Sequence, residues 1–151
     1  MKHRSTRQLV DDLKHHGRLI EYEQPVDANL EIAEIQRRIY LSEGPAVLFS
    51  NVIGCQFPMV TNIFGTLERA RFIFRKTIEN VRRAIELKID PNRFFQKPLR
   101  YWKAPFTALA MRPKSKKSGR VLQNQISVGD LPKLKSWPDD GGAFVTLPQV
   151  Y

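Results

Sequence analysis

Apolar and polar positions follow two different periods along this chain. Ser5-Thr6-Arg7-Gln8 has the form of a capping box, with a hydroxyl placed for orphan helix N–H groups and a glutamine three residues on. Leu9, Val10 and Leu13 then share one face and Gly17 supplies a stop, which predicts a first helix. Arg18 to Glu23 alternates, with Ile20 and Tyr22 on one side and Glu21 and Glu23 on the other. This predicts a half-buried strand ending at Pro25. Asn29 stands where it can cap a second helix, with Ile32, Ile35 and Ile39 as its apolar stripe and Gly44-Pro45 as its end. Ala46-Val47-Leu48-Phe49 reads as a short buried strand. Phe57 to Phe64 reads as another, after a turn through Asn51 and Gly54.

The pattern then changes. Thr66 opens a helix, and Thr77 is placed to cap the next, in which Ile78, Val81, Ala84 and Ile85 recur at helical spacing. Asp90-Pro91 pairs a favoured cap with a favoured first-turn residue, so a third short helix should hold Phe94 and Phe95. Pro98, Pro105 and Pro113 are expected to break the next stretch of chain into extended pieces. Lys114 to Gly119 reads as a polar, basic loop. Val121–Val128 and Ala143–Tyr151 read as strands joined by the Pro/Gly/Asp-rich connection Asp130 to Gly142. The alternation of strand and helix through about residue 64 predicts an α/β (α+β) layer. The last run, Phe144 to Tyr151, stops without a turn or a partner strand, as if the chain were cut inside a domain.

Composition narrows the class. The 151 residues are 42% hydrophobic and 26% charged, which suits a globular chain and excludes disordered and collagen-like classes. The apolar runs fall short of the roughly 18–20 residues of a membrane-spanning helix. The start, Met1-Lys2-His3-Arg4, lacks the apolar core of a secretory signal, so a soluble cytoplasmic location is expected. The net charge of +10 is uneven: −2 over residues 1–68, +13 over 69–120 and −1 over 121–151. The basic block can steer an anionic partner, whether nucleic acid, a membrane surface, a phosphorylated cofactor or an acidic face of the same protein.

Candidate chemistry is sparse. His15 and His16 are neighbours on a helix and diverge by roughly 100°, so they cannot chelate one ion together; they read as a solvated helix end. His3 has nothing in the sequence to orient it. Cys55 is the single cysteine, which excludes an internal disulfide and a cysteine-rich zinc site, and it reads as a turn residue rather than a catalytic thiol. Glu21/Glu23 and Glu31/Glu34 fit solvent faces, and Asp139-Asp140 fits a turn. No phosphate-binding glycine loop or Ser-His-Asp context is present. Arg69, Arg71, Arg75, Lys76, Arg82 and Arg83, with Lys114, Lys116, Lys117 and Arg120, form the basic block. Tyr101, Trp102 and Phe106 lie between them, yet no nucleic-acid-binding pattern accompanies them. A solvated face, or one docked on an acidic partner, is the expected reading, and no specific nucleic acid is expected.

Several short motifs carry a resemblance. Asp130-Leu131-Pro132, Trp137-Pro138, Asp140-Gly141-Gly142 and Phe144-Val145-Thr146 stand in the order of a stretch typical of the UbiD decarboxylases. Pro25-Val26-Asp27, Leu30-Glu31-Ile32, Gly44-Pro45-Ala46-Val47-Leu48-Phe49 and Asn62-Ile63-Phe64-Gly65-Thr66 also match that family, in its order and over nearly the whole chain. The chain resembles the N-terminal portion of these 3-octaprenyl-4-hydroxybenzoate carboxy-lyase-like enzymes.

The resemblance implies an α/β N-terminal domain over 1–112, a basic linker over 113–120, and at 121–151 the first strands of a flavin-reductase-like split β-barrel, truncated. It implies a large, usually homo-oligomeric enzyme that removes carboxylate from aromatic or α,β-unsaturated acids, most often in quinone biosynthesis. The family uses prenylated FMN, provided by a flavin prenyltransferase, with a divalent metal (Mn or Mg) and potassium. The modified flavin accepts electron density as CO₂ leaves, and a carboxylic acid protonates the product carbon. The family's metal- and phosphate-gripping Asn and Arg fall beyond the position of Tyr151, and its catalytic glutamates further still. No catalytic or metal residue is therefore carried over. Thr146 alone is, as a cofactor-binding position, and residues 1–151 by themselves are expected to bind no cofactor and to be inactive without the remainder of the chain. Peripheral membrane association is a further expectation for partners, and the alternative reading is an independent basic module for nucleic acid or another anionic surface.

Overall fold

The computed structural model describes residues 3, 5–113, 115, 118, 119, 123 and 125–143. The helices and strands, in chain order, are α1 (Thr6–His15), β1 (Leu19–Tyr22), α2 (Glu31–Leu41), β2 (Ala46–Phe49) and β3 (Met59–Thr61). They are followed by α3 (Leu67–Ile73), α4 (Ile78–Ile89), α5 (Arg93–Gln96), α6 (Pro98–Tyr101) and α7 (Ala104–Ala110). The described residues divide into two compact units, one built from residues 3–70 with 126–143 and the other from those between 71 and 125.

The first unit is a small α+β domain around a three-stranded sheet of order β1-β2-β3. β2 runs parallel to β1, with Leu19 beside Ala46 and Tyr22 beside Phe49, and antiparallel to β3, with Val47 beside Thr61. Its core gathers Val26, Ala28, Ile32, Val47, Phe49 and Val52, with Ile35, Ile39 and Leu134 packed against it. The predicted stripe of α2 thus faces the core, and β2 has the predicted bounds. Ser5 caps α1 as expected, its hydroxyl accepting from the Gln8 N–H at 3.3 Å.

Other expectations need correction. The strand expected from Phe57 to Phe64 is limited to Met59–Thr61. In β1 the buried residue is Leu19, while Ile20 is half exposed on this edge strand, where it lines a cleft. Asn29 does not cap α2. It lies in a bridge to Lys135, whose carbonyl accepts from the Leu30 N–H at 2.9 Å, and this contact places Leu30 at the helix entrance with φ +71°. Val128 opens a 3-10 turn through Asp130, and Gln125 to Ser127 carry no ladder, so the described part of the expected strand Val121–Val128 is not one. Phe144 to Tyr151, with Thr146, lie outside the described residues, as do Lys114, Lys116, Lys117 and Arg120.

The second unit is helical throughout its described elements. Pro98 and Pro105 do not make extended pieces; each stands in the first turn of a helix, where a missing N–H costs no hydrogen bond. Thr77 takes the cap position of α4, but its hydroxyl donates back to the Phe74 carbonyl at 3.2 Å and accepts no helix N–H. Asp90 closes α4 as its C-cap and accepts from the Asn92 N–H, ahead of the expected helix with Phe94 and Phe95. Tyr101 is buried, and its hydroxyl donates to Glu86 at 2.7 Å, tying α6 to α4. No described helix is long and apolar enough to cross a membrane.

Candidate functional site

Two helix ends and one turn of the first unit converge on a cleft of ≈ 630 Å³. α1 ends in a Schellman corner: the Gly17 N–H donates to Lys14 and the Arg18 N–H to Leu13, with Gly17 at φ +65°. α2 ends in the same way, the Glu43 N–H reaching Tyr40 and the Gly44 N–H reaching Ile39. Here the left-handed residue is Glu43, at φ +53°, and Gly44 follows it. The expected stop at Gly44-Pro45 is therefore displaced by one residue. The third wall is Gly65 to Arg69, at the start of α3.

Arg69 locks this wall to the second corner. Only 4% of it is exposed. Its guanidinium donates to the carbonyls of Ile63 at 3.0 Å, Gly44 at 2.9 Å and Asn62 at 2.6 Å. Asn62, itself at φ +59°, donates its carboxamide N–H groups to Gly44 at 3.1 Å and Pro45 at 2.9 Å. These carbonyls belong to helix-end and turn segments that have no ladder partner, so side-chain donors satisfy them. Burial lowers the pKa of Arg69, the nearby Arg18 lowers it further, and Glu68 works against both. Glu68 forms an ion pair with Arg18 at 2.8 Å on the rim.

Gly65 is where this lock is tightest. A Cβ there would sit 1.7 Å from Asn62 Oδ1, an oxygen that has no hydrogen-bond partner although Asn62 is only 9% exposed. The Asn62-x-x-Gly65-x-x-x-Arg69 spacing is the signal that sequence reasoning missed. In the sequence Arg69 reads as part of the basic face, whereas the side chain is interior and structural.

The remaining sequence candidates are dispersed. His3 is oriented after all, by Asp12 at 3.0 Å, and His16 Nδ1 lies 2.8 Å from the Asp12 carbonyl at the α1 terminus. Cys55 Sγ lies 3.4 Å from the Phe57 N–H in a turn. Glu21 pairs with Lys14, and Glu31 accepts from the Asp27 N–H at 2.8 Å. Glu34 accepts from Arg37 at 2.7 and 2.9 Å and from Arg38 at 2.7 Å, which lowers its pKa to about 2. Asp140 accepts from the Ser136 and Trp137 N–H groups, serving the turn as expected. Among the described residues, no three or more His, Cys, Asp or Glu side chains gather to hold a metal ion.

Comparison with known proteins adds what this geometry lacks. Residues 10–88 match the model of the 3-octaprenyl-4-hydroxybenzoate carboxy-lyase N-terminal domain, UbiD_N. The chain is 42% identical over 151 residues to an uncharacterized protein of Chlamydia trachomatis serovar D, covering 97% of this chain and 26% of that protein. It is 36% identical over 151 residues to a Chlamydia pneumoniae protein named as a subunit of 4-hydroxybenzoate decarboxylase, covering 96% of this chain and 25% of that one. The chain thus spans about a quarter of the length of these curated relatives. Among solved structures, the vanillic acid decarboxylase of Sedimentibacter hydroxybenzoicus is 20% identical, with a TM-score of 0.49 over 60% of this chain and 20% of that one.

Proposed function

Because this chain belongs to the UbiD family, as the match over residues 10–88 establishes, we propose that it is the N-terminal portion of a non-oxidative decarboxylase of aromatic or α,β-unsaturated carboxylic acids. That match is the observation that carries the reading. The Chlamydia pneumoniae relative, named as a 4-hydroxybenzoate decarboxylase subunit, supports an aromatic hydroxy acid as the first substrate to test, and its being a subunit supports work in an assembly with other chains. Quinone biosynthesis is the setting this reading favours, and a homo-oligomer its state.

On the same reading the enzyme uses prenylated FMN with a divalent metal and potassium; the flavin, when bound, accepts electron density from the departing carboxylate. The described residues do not fit a site for it. They hold no metal-ligand cluster, the cleft at Gly65 is rimmed by the paired charges of Arg18 and Glu68, and Thr146 lies outside them. The role we assign to the described residues is structural: the sheet, the two helix corners and the Arg69 lock present a rigid domain to the rest of the enzyme. The division into a domain at 1–112, a linker at 113–120 and the start of a split barrel at 121–151 belongs to this proposal.

The test is to purify the whole protein from cells that also make a flavin prenyltransferase. Absorbance would be read for a bound modified flavin, and aromatic acids would be screened for loss of carboxylate. A flavin-loaded protein that leaves every aromatic and unsaturated acid intact overturns the reading.

A further inference from the structure

At the entrance of α2 the local sequence and the fold favour different arrangements. Leu30 stands there at φ +71°, ψ −38°, and the Glu31 N–H donates back to the Asn29 carbonyl at 2.9 Å. This is a γ-turn with positive φ, the rare and strained form. The sequence offers another start. Asn29 is a favoured cap one residue earlier, and with it in that place Leu30 would take ordinary helical geometry. In the structure Asn29 is exposed, and α2 has no side-chain cap at all. A tertiary contact that overrides a local preference and imposes strain narrows the gap between the two arrangements.

The overriding contact comes from Leu131 to Asp140, a segment that is lightly held. The Leu30 N–H donates to the Lys135 carbonyl at 2.9 Å, and the Lys135 N–H to the Ala28 carbonyl at 3.2 Å. Leu134 packs against the core, and the Cys55 thiol reaches the Asp130 carbonyl at 3.5 Å. None of residues 131–140 is fully buried. The segment's other hydrogen bonds are local to it. The Leu131 N–H reaches Val128, the Leu134 N–H reaches Pro132 and the Asp140 N–H reaches Trp137, while the Asp140 carboxylate accepts from Ser136 and Trp137. The segment can therefore leave α2 and keep its own shape. Gly142, at φ +151° with nothing within 4 Å of an added Cβ, supplies a hinge.

We propose that Leu131–Ser136 is a latch on α2 with two states. In the docked state Leu30 holds its strained turn against Lys135; in the released state Asn29 caps α2 and Leu30 relaxes. Whatever binds one state better shifts both ends of the contact, so the latch couples the segment 131–140 to the start of α2. It stands apart from the carboxy-lyase reading, and its test needs no activity. Hydrogen exchange of the whole protein is followed by mass spectrometry with residue-level fragmentation. After correction for intrinsic rates, the Leu30 and Lys135 amides should open together, about tenfold or more faster than those of β2, while the amides of Ile35 to Ile39 stay protected. Asn29→Ala removes the cap of the released state alone and should slow Lys135 exchange about fivefold. Leu30→Gly takes the positive φ without strain and should slow it about threefold or more. If the glycine variant loses its fold, Asn29→Ala, at an exposed side chain, decides alone. A Lys135 amide as protected as those of β2, or one that exchanges unchanged or faster in Asn29→Ala, overturns the proposal.

Discussion

Arg69 and Asn62 hold the same acceptor: Arg69 Nη1 and Asn62 Nδ2 both donate to the Gly44 carbonyl, at 2.9 and 3.1 Å, while Arg69 Nη2 donates to the main-chain oxygen of Asn62 itself. The end of α2, the turn after β3 and the start of α3 are joined at that oxygen. Guanidinium geometry suits this task because its donors fan out in one plane toward several carbonyls, which an ammonium on a flexible stem cannot match.

Replacing Arg69 should therefore destabilise the first unit strongly. Arg69→Met leaves the carbonyls of Ile63, Gly44 and Asn62 without their charged donor, and a loss of about 2–3 kcal/mol is expected in urea unfolding. Arg69→Lys should recover less than half of it. A lysine variant as stable as the parent would refute the fork argument.

At Gly65 the expected effect is overpacking. A methyl group cannot coexist with Asn62 Oδ1 at 1.7 Å, and the Asn62 carboxamide is held by two hydrogen bonds. Gly65→Ala should cost about 1–3 kcal/mol. Gly141→Ala, where nothing lies within 4 Å of the added carbon, is the matched control and should change little.

The two Schellman corners offer a prediction of opposite sign. Gly17 and Glu43 occupy equivalent positions at φ +65° and +53°, and only the first is a glycine. Glu43→Gly should raise stability by about 0.5–1 kcal/mol, the left-handed penalty of a residue with a Cβ less the extra unfolded freedom of glycine. Thermal unfolding would show it as a higher Tm, and a lower one would contradict it.

Glu34 gives a pH signature. Hydrogen bonds from Arg37, then Arg38, lower its pKa from 4.5 to about 2. A carboxyl pKa lowered by folding contributes stability that is fully present above about pH 4.5 and is lost as pH falls through about 2. Carboxyl NMR should place the Glu34 midpoint near the lower value. Arg37→Gln with Arg38→Gln should return it toward 4.5; an unmoved midpoint would show that the arginines are not the cause.

Local chemistry made much of the first unit legible. Ser5, the Ile32/Ile35/Ile39 stripe and the β2 run Ala46–Phe49 are each set by neighbours in sequence, and they stand as expected. What escaped the sequence depends on distant partners. Leu30, rather than Asn29, enters α2 because Lys135 pairs there. Arg69 looks like surface charge until the carbonyls of Gly44 and Ile63 are brought to it. Pro98 and Pro105 were expected to break the chain because a proline's local cost is visible, whereas its tolerance in a first turn depends on where the helix begins. Of the candidate site, Thr146 lies outside the described residues, so the family motifs rather than side-chain geometry carry the functional reading.

That reading is tested most directly by carboxyl-labelled 4-hydroxybenzoate given to the whole protein loaded with prenylated FMN, with released CO₂ counted against phenol formed. Equal amounts of both are expected, over many turnovers per enzyme. A fully loaded protein that releases no labelled CO₂ from this acid or from any other aromatic or unsaturated acid would contradict it.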